Sequence, residues 1–291
     1  GVIAVDGKGR VRYSNSIADT ILGCPEGLSG RVLSECICDA AAARIARESE
    51  RQRRGKESHY RLSITRRDGE TRVLSIRAAP WRRWWRRHGV VMIVSDTTAV
   101  VDAARRLDLQ AARAVVIAGI SRRCVTADDF DAAVNESLTD VGRSMEVDRV
   151  SVWGVIDGGA HLRMMHEWCA PGIESNMAML QNVPTSDASW LMSTLETGAC
   201  VRVTEVVEMP RDAQSETALL SMLGVVSVLA SPMYFKGAIC GFIGVDSMRR
   251  VRRWTEDEER MVRIAGEILG ATWERHERDT TLRAARRTLE E

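Results

Sequence analysis

The sequence predicts an α+β chain of two domains, each an antiparallel sheet with flanking helices, joined by a long helix. Three observations predict it. Runs of alternating apolar and polar residues, separated by glycine-containing turns, cluster near residues 2–94 and again near 148–245, as strands of half-buried sheets do. Between the clusters, Val100, Ala104, Leu107, Ala111, Ala114 and Ala118 recur at spacings of four and three, the period of a helical seam. With 291 residues and 45% hydrophobic content, the chain is long and apolar enough to bury two cores. The expected boundaries are a first domain over 1–97, a linker helix over 98–122, a second domain over 123–275 whose first helix is shared with the linker, and an outgoing helix over 276–291.

Composition excludes several classes. A net charge of +1 argues against a general nucleic-acid or membrane binder. The seven cysteines (Cys24, Cys36, Cys38, Cys124, Cys169, Cys200, Cys240) are odd in number and scattered, with no CxxC pair. That reads as reduced, cytoplasmic thiols without a metal site or a disulfide framework. No apolar run approaches the length of a membrane span, and no signal peptide is present. The chain starts directly in a strand-like run without an initiator Met, as an excised part of a longer protein does.

In the first domain, Val2–Val5 and Val11–Asn15 form a hairpin about Asp6-Gly7-Lys8-Gly9, because glycine admits positive φ. Ile17, Ile21 and Leu22 follow at helical spacing, and an alanine-rich helix is expected from Asp39 to Arg54. Tyr60–Thr65 and Arg72–Ala78 flank the Arg67-Asp68-Gly69-Glu70 turn, and Val90–Val94 is an apolar last strand. This order, with the opening hairpin, the Arg67-Asp68-Gly69 turn and the closing Asp96-Thr97-Thr98, resembles the PAS fold over about residues 1–98. The resemblance implies a five-stranded antiparallel sheet with helices on one face. PAS domains often hold haem, flavin or a metabolite. Here the flavin-reactive Asn-Cys-Arg-Phe-Leu-Gln run is absent and the Asp39–Arg54 helix offers no histidine, so no cofactor is expected in this domain. Cys36 and Cys38 would share a strand face as small apolar residues or as a redox pair. Trp81-Arg82-Arg83-Trp84-Trp85-Arg86-Arg87-His88 reads as a basic aromatic hairpin whose tryptophans pack while the arginines stay wet, and a partner contact suits it better than base stacking.

In the second domain, Phe130, Ala133, Val134, Leu138, Val141 and Met145 form one helical stripe. Asp148–Ile156 and Leu162–Trp168 are strands about Asp157-Gly158-Gly159. Ser189–Leu195 and Ala213–Leu223 are helices, and Val201–Val203 is a short strand. Val225–Met233 and Ala238–Val245 form a hairpin about Lys236-Gly237, and Thr255 with Glu258 fits a capping box at the start of the last helix. Ala127–Asp131, Asp148-Arg149-Val150, His166–Ile173, Ser231-Pro232-Met233-Tyr234 and Gly241–Asp246 together resemble GAF domains of sensor histidine kinases and diguanylate cyclases, over about residues 106–275. The Asp-Ile-Pro motif and histidine region of phytochrome-like pockets are missing, as is the Asn-Lys-x-Phe-Asp-Glu run of cyclic-nucleotide GAF domains, so neither ligand is expected.

His166-Glu167-Trp168-Cys169 is the densest chemistry in the chain. Zinc would need more ligands, and a Cys-His nucleophile needs its partners on one side. On a strand His166 and Trp168 share one face, Glu167 and Cys169 the other, so no catalytic residue is expected. The stretch is either a cluster fixing a loop or part of a pocket. The pocket candidates are His166, Glu167, Trp168, Cys169 and, from the preceding strand, Trp153. No cofactor is expected, with haem or a thiol-based redox or gas sensor as the alternative.

The function implied is a non-catalytic sensory module of a cytoplasmic signalling protein, bearing a small-molecule ligand and acting as a homodimer. The dimer seam comprises Val100, Ala104, Leu107, Ala111, Ala114, Ile264, Ile268 and Ala271. The last helix repeats from Met261 to Leu289 with Arg275 and Arg278 as a polar interruption. It points to a C-terminal output domain, a histidine kinase or a diguanylate cyclase in the full-length protein. Neither nucleic acid nor membrane is an expected partner.

Overall fold

The computed structural model describes residues 1–33, 41, 43–45, 47–48, 57–66, 68–83, 87–126 and 129–290, without the side chains of 82–83, 87–88, 274 and 277–290. It divides into two compact units, Gly1–Leu109 and Gln110–Glu291. Cys36, Cys38 and most of the expected Asp39–Arg54 helix lie outside the described residues. Within that stretch residues 43–45 and 47–48 are helical, and Ala41 and Ile45 are buried.

The first unit contains β1 (Val2–Val5), β2 (Val11–Ser14), α1 (Ser16–Ile21), β3 (Ser58–Thr65), β4 (Thr71–Arg83) and β5 (Arg87–Asp96). They form one antiparallel sheet in the order β2-β1-β5-β4-β3. Alternation decides the buried face: Ile3, Val5, Leu74, Ile76, Val90, Met92 and Val94 fill one core. Asn15 Oδ1 ties the hairpin to α1 by accepting from Val2 N at 2.9 Å and Ala18 N at 3.1 Å. The Trp81–His88 run is longer in regular structure than a turn tip: β4 continues through Arg83 and β5 resumes at Arg87, while 84–86 lie outside the described residues.

Asp96-Thr97-Thr98 joins the sheet to the next helix by hydrogen bonds. Asp96 Oδ1 accepts from Thr98 N and Oγ1 at 2.9 and 2.6 Å, and Oδ2 accepts from Arg72 Nη1 at 2.7 Å. Burial opposes the charge, but the Thr98 donors and Arg72 hold Asp96 below the ordinary aspartate range. Helix α2 (Thr98–Thr126) follows, four residues longer than its periodicity predicts. Its seam residues Val100 and Leu107 are 69% and 65% exposed. From Val116 onward the helix belongs to the second core, with Ile120 and Cys124 buried.

The second unit adds α3 (Phe130–Met145), β6 (Arg149–Ile156), β7 (His161–Cys169), β8 (Val183–Pro184), α4 (Ser189–Glu196), β9 (Val201–Val203), α5 (Gln214–Met222), β10 (Ser227–Phe235), β11 (Ala238–Ser247) and α6 (Glu256–Glu290). The sheet order is β8-β7-β6-β11-β10-β9, antiparallel throughout. Lys236 (φ 50°) and Gly237 (φ 81°) make the two-residue turn between β10 and β11, where both positions require positive φ. The expected capping box forms: Thr255 N donates to Glu258 Oε2 at 2.8 Å, and Glu258 N to Thr255 Oγ1 at 3.3 Å.

The sheet separates two cores. On one side α3, α6 and the end of α2 pack on Val150, Val152, Leu229, Ile243 and Val245. Gly270 lets α6 lie close to β10, since a Cβ there would stand 2.9 Å from the Tyr234 carbonyl oxygen. The other side, with Trp153, Leu162, Met164, Val228, Ala230 and Phe242, is covered by α4 and α5.

Candidate functional site

Between this second face and its covering helices lies a cavity of about 80 Å3. Trp153, Phe242, Met164, Trp190, Leu219 and Leu220 give it apolar walls. Trp153 and Phe242 stack with centroids 5.6 Å apart, and the Trp153 indole donates to Ser151 Oγ at 3.0 Å.

A buried ionic floor lies at one end. Arg149 and Asp246 are cross-strand partners in the β6–β11 ladder. Arg149 is 1% exposed, with Nη1 3.6 Å from Asp246 Oδ2 and Nε 3.0 Å from Glu167 Oε1. The Nε contact is off the N–H axis, an ion pair rather than a directed hydrogen bond. With its carboxamide oxygen turned inward, Asn176 accepts from Arg149 Nη2 at 2.7 Å. Burial pushes the Asp246 carboxyl up to about 6; Arg149 opposes this, and the charges of Glu167 and Asp148 add to it.

A β-bulge determines where the four-residue cluster points. Trp153 pairs with Met164 but Val152 pairs with His166, so Met165 is an extra residue and the parity of β7 reverses there. Leu162 and Met164 face the cavity side, and beyond the bulge Glu167 and Cys169 take over that face. Glu167 fixes the following loop by accepting from Ser175 Oγ at 2.5 Å and Asn176 N at 3.1 Å. Cys169 lies at the strand end, outside the cavity lining, with Sγ 3.8 Å from the Glu174 carbonyl oxygen. Burial and the Glu167 carboxylate push its thiol up, against nucleophilic use.

His166 and Trp168 face the opposite way. His166 is buried between Asn135, whose Oδ1 is 3.1 Å from Nδ1, and Asp131, 3.6 Å from Nε2. Burial lowers its pKa, opposed by Asp131. The Trp168 indole sits over Gly142 of α3, where a Cβ would come within 2.1 Å of the ring. Of the five candidates, therefore, only Trp153 lines the cavity; Glu167 braces its floor. Arg149, Asp246 and Glu216 also line the cavity and were absent from the candidates. A sequence signal existed for each. Arg149 and Asp246 interrupt apolar strands, and Glu216 precedes Leu219 and Leu220 by three and four residues, on the apolar side of α5.

Among the seam residues, Ala104, Ala111 and Ala114 are exposed on α2 and Ala271 on α6, whereas Ile264 and Ile268 are half-buried. Ala114, Ile117, Ala118, Ile264 and Ile268 line a groove where α2 and α6 run beside each other, bridged by Arg113 and Asp257 at 3.3 Å. Arg275 has a specific task in place of the expected seam interruption: its Nη2 donates to the carbonyls of Cys124 and Val125 at 2.8 and 3.1 Å, capping the end of α2. Among the described residues no His, Cys, Asp and Glu cluster could hold a metal, and no helix is long and apolar enough to cross a membrane.

The GAF domain family matches residues 129–273, and the PAS fold family matches residues 1–102. The methanogenesis regulatory histidine kinase FilI of Methanothrix harundinacea (strain 6Ac) is 26% identical over 208 residues, 70% of this chain but 23% of that protein. The chain thus spans about a quarter of that relative's length. Two solved GAF domains from a cyanobacterial phytochrome resemble the second unit. The phycoerythrobilin-bound one is 14% identical, with TM-score 0.50, over 58% of this chain and 97% of that one. The phycocyanobilin-bound one is 15% identical, with TM-score 0.48, over 56% and 94%. The expectation of no cofactor, with haem as the alternative, is corrected by the phycoerythrobilin-bound domain: that domain carries a bilin.

Proposed function

Because the chain belongs to the PAS and GAF families and forms a PAS–GAF sensory region of a signalling protein, we propose that the GAF cavity is its receptor site and that occupancy biases α2 and α6. One observation supports this above the others. Strands β10 and β11 form a cavity wall with Val228, Ala230, Phe242 and Asp246, and their reverse faces, Leu229, Met233, Ile243 and Val245, belong to the core that packs α6 and the end of α2. A ligand moving the wall moves the seat of both helices, and Arg275 links them. A tenfold population shift needs about 1.4 kcal/mol of differential binding.

Filling the cavity tests the coupling. Ala230→Met and Ala188→Leu, introduced separately, should alter amide exchange in Ile117–Thr126 and Glu256–Trp273 at least threefold, leaving the PAS sheet unchanged. Unaltered exchange in those helices with either variant would remove the coupling.

A bilin is one occupant of the kind the solved relatives hold. The apolar walls suit its body. Among the described residues no cysteine lines the cavity for a thioether, and the Arg149 guanidinium is already shared by Glu167 and Asp246. The visible spectrum after incubation with biliverdin and desalting decides whether this chain retains one.

We place the protein in the cytoplasm as a homodimer feeding an output domain, histidine kinase or diguanylate cyclase, in the longer protein. The exposed seam of α2 supports pairing, since Val100 and Leu107 are 69% and 65% exposed. Sedimentation at micromolar concentration should report twice the mass of one chain, falling to one chain in Leu107→Arg. A wild-type monomer there rules the dimer out.

A further inference from the structure

Glu216 is a buried carboxylate with half of its hydrogen-bonding capacity unused. It is 4% exposed and lines the GAF cavity. Oε1 accepts from the amides of Trp190 and Leu191 at 2.7 and 3.2 Å, which secures the first turn of α4. That role occupies one oxygen. Oε2 has no hydrogen-bond partner among the described residues. Among the described residues the only cationic side chain lining the cavity, Arg149, is engaged by Glu167 and Asp246. A buried acceptor left unmatched costs free energy that a matched ligand recovers, and the cost is larger for a carboxylate.

From this, and resting on the reading of the cavity as the receptor site, we propose that the ligand is an apolar molecule carrying a hydrogen-bond-donating nitrogen, preferentially a protonated amine, that Glu216 Oε2 receives. The surroundings suit both ends of such a molecule. Leu219 and Leu220, one turn along α5 from Glu216, and the stacked Trp153 and Phe242 receive an aryl or alkyl body. Trp190, whose own amide is bound by Glu216, also lines the cavity, and its indole is a face over which a cation is stabilised. A carboxylate-bearing analogue of the same shape would bring a second negative charge to a buried, unpaired one and is rejected. Glu216 is therefore the specificity-determining residue of the site.

Three probes of one shape separate the alternatives: 2-phenylethylamine, 2-phenylethanol and 3-phenylpropionate, titrated calorimetrically into the whole chain. The amine should bind at least tenfold tighter than the alcohol, and the acid weakest. Glu216→Gln retains a carbonyl oxygen for the α4 amides and puts an NH2 donor where Oε2 stands. It should abolish the amine preference and improve the acid, while circular dichroism stays unchanged. Equal affinity for amine and acid, or an amine preference that survives Glu216→Gln, overturns the role of Glu216 while leaving the cavity a receptor. Saturable binding of none of the three overturns the receptor reading and this proposal with it.

Discussion

Arg149→Met should lower the stability of the GAF sheet by about 3–5 kcal/mol near pH 7.5, and by less near pH 5. The arginine is 1% exposed and stands between Glu167 and Asp246; methionine fills much of its volume but leaves two buried carboxylates without their cation. The pH dependence follows from Asp246, whose folded pKa of about 6 lies above its ordinary value of 3.8. A carboxyl raised on folding contributes stability that is complete below its unfolded value and is lost as pH rises through about 6. At pH 7.5 the wild type holds an ionised Asp246 beside Arg149. Removing the arginine removes the one charge that opposes the upward shift, so the folded state pays a larger penalty for ionising Asp246. Near pH 5 the carboxyl is already mostly protonated and loses less when Arg149 goes. Amide-exchange protection of β6 and β11 reads the effect without the PAS sheet. An equal loss at both pH values would show that Asp246 does not carry the pH dependence.

Gly241→Ala should cost about 3 kcal/mol, the upper end for overpacking, and weaken ligand binding as well. A Cβ at Gly241 would lie 1.9 Å from the Trp153 carbonyl oxygen and 3.2 Å from Gly154 Cα, so the clash is with backbone and no side chain can rotate away. Strands β6 and β11 must separate where Gly241 pairs with Gly154, and Trp153 is a cavity wall. Gly244→Ala provides the comparison. Its Cβ would meet the Ser151 hydroxyl at 3.2 Å and Phe242 Cε2 at 3.9 Å, both side-chain atoms rather than backbone. Its cost should be about 1 kcal/mol or less. Similar losses from the two substitutions in the same exchange measurement would contradict the backbone-clash account.

Both predictions concern residues inside stretches that carry the family likeness, Asp148-Arg149-Val150 and Gly241–Asp246, yet their tasks emerge only from pairing. Arg149 and Asp246 are 97 positions apart and meet because β6 and β11 are neighbours in register. The strand runs, the Lys236-Gly237 turn and the Thr255–Glu258 box were legible because they rest on neighbouring residues: alternation, positive φ and an i to i+3 hydrogen bond. The helical seam was legible as a period, but period alone does not say what covers it. Ile117, Ile120 and Cys124 turned out to belong to the GAF core, while Val100 and Leu107 remain outward.

The sequence by itself determined two α+β units, their order, their strands and the helix between them, because each is written in local periodicity and turn chemistry. Tertiary structure alone decided which side chains share a cavity. One inserted residue, Met165, reverses the alternation of β7, so His166 and Trp168 are turned to the helices and Glu167 to the ionic floor. Arg275 reads as a break in a seam until the end of α2 is placed beside it, and the polarity of Glu216 on the apolar side of α5 has no partner until α5 covers the sheet. In each case the deciding quantity is a distance between residues remote in sequence, which packing sets and residue spacing does not contain.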